Sequence, residues 1–263
     1  MAYIKKITSH QNPTIKDFKA LENRKKRKET NLFFAEGLKV LGTAKECEWT
    51  PVQYIYEEGE AASGIAYDLV DWALQSEAQV MEVPYDVMGK LSSRDNPQPA
   101  IASFTQKWVD KSAIKNGLWV LLEEVRDPGN LGTIIRTVDA VGAQGVILVG
   151  NCCDPYAIET VRASMGSIFA VDMIKMDREE ALTFVSKEWK GEVVATHLEA
   201  TDDFRRDYNM DGNCLLMMGS EGPGLTKEMS YLASSKIKIP MRGHADSLNL
   251  AVATALVLYE MRK

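Results

Sequence analysis

Three short segments of this 263-residue chain combine residue types that could hold a ligand and act on it. The first is Asp127-Pro128-Gly129-Asn130-Leu131-Gly132-Thr133-Ile134-Ile135-Arg136, which follows an apolar run and opens a helical pattern. Pro-Gly makes a turn there, Asn130 is suited to cap the helix that carries Arg136, and a helix start with two glycines nearby suits a phosphate. A capped helix with a solvent-exposed arginine would look the same, and without a following Gly-Lys-Ser/Thr this is not a Walker A loop. The second segment, Met218-Gly219-Ser220-Glu221-Gly222-Pro223-Gly224-Leu225, puts one carboxylate among three glycines whose backbone can approach a ligand closely. Its G-x-x-G-x-G spacing departs from the dinucleotide fingerprint G-x-G-x-x-G, and a tight strand-to-helix turn is the plain alternative. In the third, Ile239-Pro240-Met241 is followed by Ser247-Leu248-Asn249, which opens an apolar helix through Tyr259 with Asp246 or Ser247 as its N-cap.

Other chemistries are not signalled. His10, His197 and His244 are the only histidines and form no metal-ligand spacing, so no metal is expected. A nucleophile elbow G-x-S-x-G is missing. Cys47, Cys152, Cys153 and Cys214 make neither a C-x-x-C pair nor a disulfide framework, which suits a reducing cytoplasm, and Cys152-Cys153 is expected to be a buried pair beside a strand.

The elements that must position these segments are legible as hydrophobic runs. Leu118–Leu122, Gly145–Val149, Phe169–Ile174, Val193–Thr196, Cys214–Met218 and Lys236–Ile239 read as strands, the first as one covered on both faces. Helical patterns such as Glu179–Trp189 separate them. Strands alternating with helices predict a mostly parallel sheet in an α/β domain, whose ligands bind beyond the carboxyl ends of the strands. Before them, Leu32–Ala35, Val52–Tyr56 (with period-two alternation), Gln79–Val83 and Ile101–Phe104 read as strands, and Leu38–Ala44 and Tyr67–Leu74 as helices. The organisation predicted is a smaller αβ domain over residues 1–106, a polar linker over 107–117 and a larger α/β domain over 118–263. Leu250–Leu258 is apolar nearly all round and is read as a core helix, a subunit interface being the other use of such a helix.

Composition sets the outer bounds. Hydrophobic residues at 45% and charged residues at 26% describe a soluble chain with a core. No apolar stretch approaches the ~20 residues of a membrane span, and the N-terminus lacks a signal-peptide h-region, so no membrane partner is expected. Net charge is −6, yet residues 1–30 carry nine Lys/Arg against Asp17, Glu22 and Glu29. That local balance of +6 on an acidic body of −12 remains compatible with a nucleic-acid partner, because phosphate binding follows local potential. Arg24, Lys25, Lys26, Arg27 and Lys28 are its densest part, and a solvated charged turn or helix end would look the same.

Together, N-x-G-x-x-x-R at Asn130–Arg136, G-S-E-G-x-G at Gly219–Gly224 and I-P-M…S-L-N-x-A at Ile239–Ala251 resemble the three motifs of the SpoU (TrmH-like) RNA 2′-O-ribose methyltransferases of the SPOUT superfamily. The resemblance runs from Leu118 to the C-terminus, and F-F-A-E-G at Phe33–Gly37 after the basic start is similar to the substrate-binding domain of many members. It implies an α/β fold: a C-terminal, mostly parallel sheet with a deep trefoil knot, an exception to the rule against threading, and a smaller N-terminal αβ sandwich resembling ribosomal RNA-binding proteins. It implies S-adenosylmethionine bent in the knot against Thr196, His197, Leu198, Gly219, Glu221, Gly222, Ile239, Pro240, Met241, Ser247, Leu248 and Asn249, and a homodimer with the site near its interface. Catalysis would rest on Arg136, Asn130, Glu221 and Asn249. A cationic Arg136 would bind a phosphate and stabilise the developing alkoxide, Asn130 would orient the arginine or the ribose, and Glu221 would fix Arg136 or polar groups nearby. RNA would meet Arg24, Lys25, Lys26, Arg27, Lys28 and Arg136, with 23S ribosomal RNA favoured over tRNA. A non-catalytic RNA-binding protein of this fold, or an α/β enzyme preferring a nucleoside phosphate, are the competing readings.

Overall fold

Hydrophobic runs become strands of two separate sheets in a computed structural model, which describes residues 3–92, 96–114, 116–198, 200–208 and 212–263. One unit comprises the chain up to Gln106 together with Asp154–Ala170, and the other comprises Lys107–Cys153 with Val171–Lys263.

The first unit holds β1 (Ile4–Lys6), β2 (Leu32–Glu36), β3 (Pro51–Glu57), β4 (Gln79–Val83) and β5 (Ala100–Thr105) in the order β1-β4-β3-β5-β2. β3 pairs parallel with β4 and antiparallel with β5. That central position corrects the alternation expected of it, since Tyr54, Ile55 and Tyr56 are all buried. Around the sheet lie α1 (Pro13–Lys19), α2 (Arg24–Thr30), α3 (Leu38–Glu46), α4 (Gly64–Gln75) and α5 (Tyr85–Leu91).

The second unit holds β6 (Leu118–Glu123), β7 (Gly145–Val149), β8 (Asp172–Met176), β9 (Glu192–Thr196), β10 (Asp202–Asp203), β11 (Cys214–Met218) and β12 (Ser235–Lys238). Their order is β10-β12-β9-β11-β6-β7-β8, and every pair is parallel. β6, β7 and β11 are buried along their whole length, as their unbroken apolar runs require. α6 (Pro128–Ala140) follows β6, and α8 (Arg178–Thr183), α9 (Lys227–Tyr231) and α10 (Leu250–Met261) complete this unit's helices; α7 (Ile158–Ser164), which lies between β7 and β8 in sequence, belongs to the first unit. α8 ends in a π-helical turn over Phe184–Glu188, so the continuous helix expected to Trp189 is broken.

Three sequence boundaries move. Residues 107–114 are not a free tether, because the Val109 amide donates to the Met173 carbonyl at 2.9 Å and Asp110 caps a 3₁₀ turn over Lys111–Ala113. Residues 154–170, expected in the larger domain, pack with the smaller one. The reason is aromatic: Phe169 and Tyr156 stack with Phe33, Trp49 lies edge-on to Phe169, and the Trp49 indole donates to the Phe169 carbonyl at 2.8 Å. With Phe169 used there in a 3₁₀ turn, β8 begins only at Asp172.

Candidate active site

Three adjacent parallel strands end together. Ile237 of β12 pairs with Thr196 of β9, and Ala195 of β9 pairs with Met217 of β11. The loops entered at His197, Gly219 and Ile239 therefore start side by side at the carboxyl edge, where α/β sheets bind ligands. The Thr196 hydroxyl reaches the Met218 sulfur at 3.4 Å, and the His197 amide donates to the Ile237 carbonyl at 2.9 Å. Leu198 is 79% exposed beyond them, with Pro240 exposed and Ile239 and Met241 half-buried.

Asn130, Glu221 and Asn249, from the three segments, meet in one hydrogen-bonded chain. The Asn249 Nδ2 donates to Asn130 Oδ1 at 2.9 Å, and the Asn130 Nδ2 donates to Glu221 Oε1 at 2.9 Å. Asn249 also caps α10, its Oδ1 accepting from the Ala251 and Val252 amides at 2.9 and 3.2 Å. This corrects the caps expected from sequence. Asn249 caps α10 instead of Asp246 or Ser247, and Asp127 caps α6, accepting from the Asn130 amide at 2.6 Å with Pro128 in the first turn. Because Asp127 does the capping, the Asn130 amide group is left to bridge the other two segments. Ser247 and Leu248 lie exposed just before the cap.

The Gly-rich loop closes on itself. Ser220 and Gly224 exchange both backbone hydrogen bonds at 3.2 Å. A Cβ on Gly219 would stand 1.9 to 2.3 Å from the Gly224–Leu225 backbone, so this glycine serves the loop's own closure before any ligand. Gly222, beside Glu221, has open space around it. The loop's far end is pinned by Glu123, a buried carboxylate ending β6 that accepts from the Thr226 amide at 2.8 Å and its hydroxyl at 2.9 Å. Sequence reading passed over Glu123, although a charge closing an otherwise apolar run was its signal. Gly219→Ala is expected to cost about 3 kcal/mol, the upper end for overpacking, because backbone and not a flexible side chain must yield. Scanning calorimetry reads it, and an unchanged melting temperature would mean that the loop opens to admit the Cβ without cost.

Arg136 stands apart from this network. It is exposed on α6, and among the described residues it has no hydrogen-bond or ion-pair partner, so Glu221 orients Asn130 and not the arginine. Its guanidinium is available to an incoming anion. In the first unit, Arg24, Lys25 and Lys28 of α2 are exposed and Lys26 lies 3.7 Å from Asp17. Arg27 is withdrawn from this basic set: it is 4% exposed and bound to Asp154 at 2.8 Å. Cys152 and Cys153 are half-buried, not a buried pair, with the Cys152 sulfur 3.4 Å from the Leu122 and Val149 carbonyls. Among the described residues no group of three or more His, Cys, Asp or Glu is placed to hold a metal ion, and no helix is long and apolar enough to cross a membrane.

Residues 117–259 match the family model described as SpoU rRNA Methylase, and residues 12–102 match that of the MRM3-like substrate binding domain. An AdoMet-bound rRNA methyltransferase from Sinorhizobium meliloti is similar in structure, with a TM-score of 0.90, 39% identity, and 98% of this chain and 97% of that one covered. The 23S rRNA (guanosine(2553)-2′-O)-methyltransferase RlmP of Bacillus subtilis is 28% identical over 98% of this chain and 100% of its own. The 23S rRNA (uridine(2479)-2′-O)-methyltransferase of Streptomyces viridochromogenes is 29% identical over 97% of this chain and 91% of its own. This chain belongs to the SpoU rRNA methylase family.

Proposed function

We propose that this protein transfers a methyl group from S-adenosylmethionine to a ribose 2′-hydroxyl of RNA, with 23S ribosomal RNA as the substrate class. The observation that carries the reading is the Asn249–Asn130–Glu221 chain, which joins the three motif segments beside the three strand-end loops. Those loops fit the donor in kind: Leu198, Ile239 and Met241 offer apolar surface for an adenine, and exposed loop backbone offers polar groups for its edges. The bound donor supplies a sulfonium methyl already activated for transfer to oxygen.

What remains for the protein is alignment and the hydroxyl proton. Asn130, held from both sides by Glu221 and Asn249, presents a fixed amide edge for the ribose. Alignment of this kind supplies up to ~7–11 kcal/mol in favourable intramolecular models. Guanidinium groups stay protonated in proteins, so Arg136 acts as a cation at the phosphate and the developing alkoxide, not as a free base. In the first unit, Arg24, Lys25 and Lys28 of α2 are exposed and supply phosphate-binding charge of their own. A C-terminus threaded as a trefoil is part of the same reading, supported by β12 pairing with β9 and α10 packing on α6. The working compartment is the cytoplasm, in keeping with four cysteines none of which is in a disulfide.

A homodimer belongs to the same reading. α10 leaves Val252, Leu256 and Tyr259 exposed by 49%, 41% and 59%, an i, i+4, i+7 stripe, the first two of which the core-helix reading of Leu250–Leu258 placed inside. Leu256→Glu is expected to raise the dimer dissociation constant at least about 100-fold, following about 3 kcal/mol of lost apolar burial and added charge. Sedimentation at micromolar protein reads it, and a dimer unchanged by Leu256→Glu would move the interface elsewhere.

The functional test is transfer of labelled methyl to unmodified ribosomal RNA and tRNA, followed by alkali and nuclease digestion. Label in an alkali-resistant dinucleotide of 23S RNA is the expected result. Label in tRNA alone would replace the substrate class. No label together with no donor binding would sink the methyltransferase reading.

A further inference from the structure

A cleft of about 820 Å³ opens beyond β6, β7 and the start of α8, on the other side of the Gly-rich loop from the ends of β9 and β12. Its walls are Glu124, Arg126, Asn151 and Arg178, with the loop Ser220–Thr226 as the partition shared with the Asn130–Glu221 network. The strand order reverses at the cleft's Gly-rich partition, between β6 and β11: the chain runs outward from β6 through β7 to β8, then returns to β9 on the far side of β11.

Two arginines, each paired with a carboxylate, line the cleft. Glu124 takes a left-handed backbone at φ +57°, uncommon for a side-chain-bearing residue. Its carboxylate accepts from the Asn151 amide at 3.1 Å, which is possible because position 150 is glycine; a Cβ there would meet Glu124 Oε1 at 2.4 Å. The Asn151 N–H, with Arg126 and Arg178 alongside, holds the Glu124 carboxyl below the usual carboxylate range. Arg126 then lies 3.1 Å from Glu124, while Arg178 lies 3.6 Å from both Glu123 and Glu124. Arg126 uses only Nη2 and Arg178 only Nε and Nη2 in these pairs, and their side chains are 73% and 49% exposed. Each therefore keeps unshared N–H donors exposed at the cleft, beside the carboxylate it pairs with. Planar forks of this kind select phosphate over a point-charge site, and the volume is within the range of nucleotide-sized pockets.

We propose that this cleft receives the RNA strand flanking the target ribose, with Arg126 and Arg178 binding its phosphates and Glu123 and Glu124 acting as positioning residues for the two arginines. The inference rests on the reading of this chain as an RNA methyltransferase and adds where the strand lies: across the Gly-rich partition, with the ribose on the Asn130 side.

The test measures RNA binding and methyl transfer separately for the full chain, using unmodified 23S RNA fragments. Arg126→Gln/Arg178→Gln is expected to raise KM for RNA at least tenfold with kcat changed less, and to reduce the slope of log affinity against log salt by about 1.4, two phosphates' worth on a single strand. Arg178→Lys should restore most of the salt slope while leaving KM raised, because charge returns without the fork. Lys187→Gln/Lys190→Gln, removing two exposed charges elsewhere, should leave both readouts within twofold. An unchanged salt slope and KM in the double arginine variant would overturn the proposal. So would a loss of S-adenosylmethionine binding in that variant, which would make the arginines supports of the loop. A wild-type protein that binds RNA with the arginine-dependent slope yet transfers no methyl would sink the enzymatic reading while leaving the cleft as an RNA site.

Discussion

Arg136→Ala is expected to slow methyl transfer about 10²- to 10³-fold, the usual effect of removing one preorganised donor from a developing oxyanion. S-adenosylmethionine affinity should stay within about threefold, as RT ln 3 is only ~0.65 kcal/mol. The separation follows from where Arg136 stands. It projects from α6 into solvent with no described partner, while the Gly-rich loop is held by the Asn249–Asn130–Glu221 chain and by Glu123 at Thr226. Alanine is also the best helix former, so α6 should keep its stability. Single-turnover kinetics with labelled donor give the rate, and calorimetry gives the affinity. Arg136→Lys distinguishes two uses of the side chain: if charge alone matters, lysine recovers most of the rate, and if a bidentate fork on phosphate matters, it recovers little. A variant that loses donor binding in step with turnover would make Arg136 a structural residue.

The parallel sheet was legible because β6, β7 and β11 are buried on both faces and so carry continuous apolar runs. The three motif segments were legible for a related reason: each follows a strand, so strand recognition located them. What decides their chemistry was less visible. Asn130 has the right residue type for a cap, but the helix starts earlier: Asp127, three positions before it, is the N-cap and accepts the Asn130 N–H, so Asn130 lies inside the first turn, which only helix register reveals. The charge run Arg24–Lys28 reads as uniformly exposed, yet a helix turns one of its five residues inward. The partner that makes this tolerable, Asp154, is 127 residues away and belongs to a segment whose sequence neighbours are in the other unit. Tertiary aromatic packing recruits that segment, and no local pattern around residues 154–170 announces it. α10 shows the reverse case. Its all-round apolar composition was plain, and Leu250, Val257, Leu258 and Met261 are indeed buried, but composition alone could not say that Val252, Leu256 and Tyr259 would remain uncovered in one chain.

The Arg27–Asp154 pair gives the largest stability effect expected in the first unit. Arg27 Nε and Nη2 both donate to Asp154 Oδ2, at 3.0 and 2.8 Å, and Nη1 donates to the Leu21 and Glu22 carbonyls at 2.9 and 2.8 Å. Asp154 Oδ1 accepts from the Tyr156 amide at 2.9 Å, so the carboxylate also shapes the entry of the segment carrying Tyr156 and Phe169. Side-chain exposures of 5% and 14% leave little solvent screening. Asp154→Ala strands a buried guanidinium and should cost about 3–5 kcal/mol, lowering the melting temperature of this unit by roughly 10 °C. Arg27→Met should cost less, because the remaining carboxylate keeps the Tyr156 amide and has more solvent access. The double variant should be more stable than the two single losses added together, the difference being the energy of a buried pair. Urea unfolding followed by tryptophan fluorescence measures all three. The same set separates a structural arginine from an RNA contact: Arg27→Met should leave the salt dependence of RNA binding unchanged where Lys25→Gln or Lys28→Gln shifts it. A stable Arg27→Met protein with a weakened salt slope would return Arg27 to the basic face of α2.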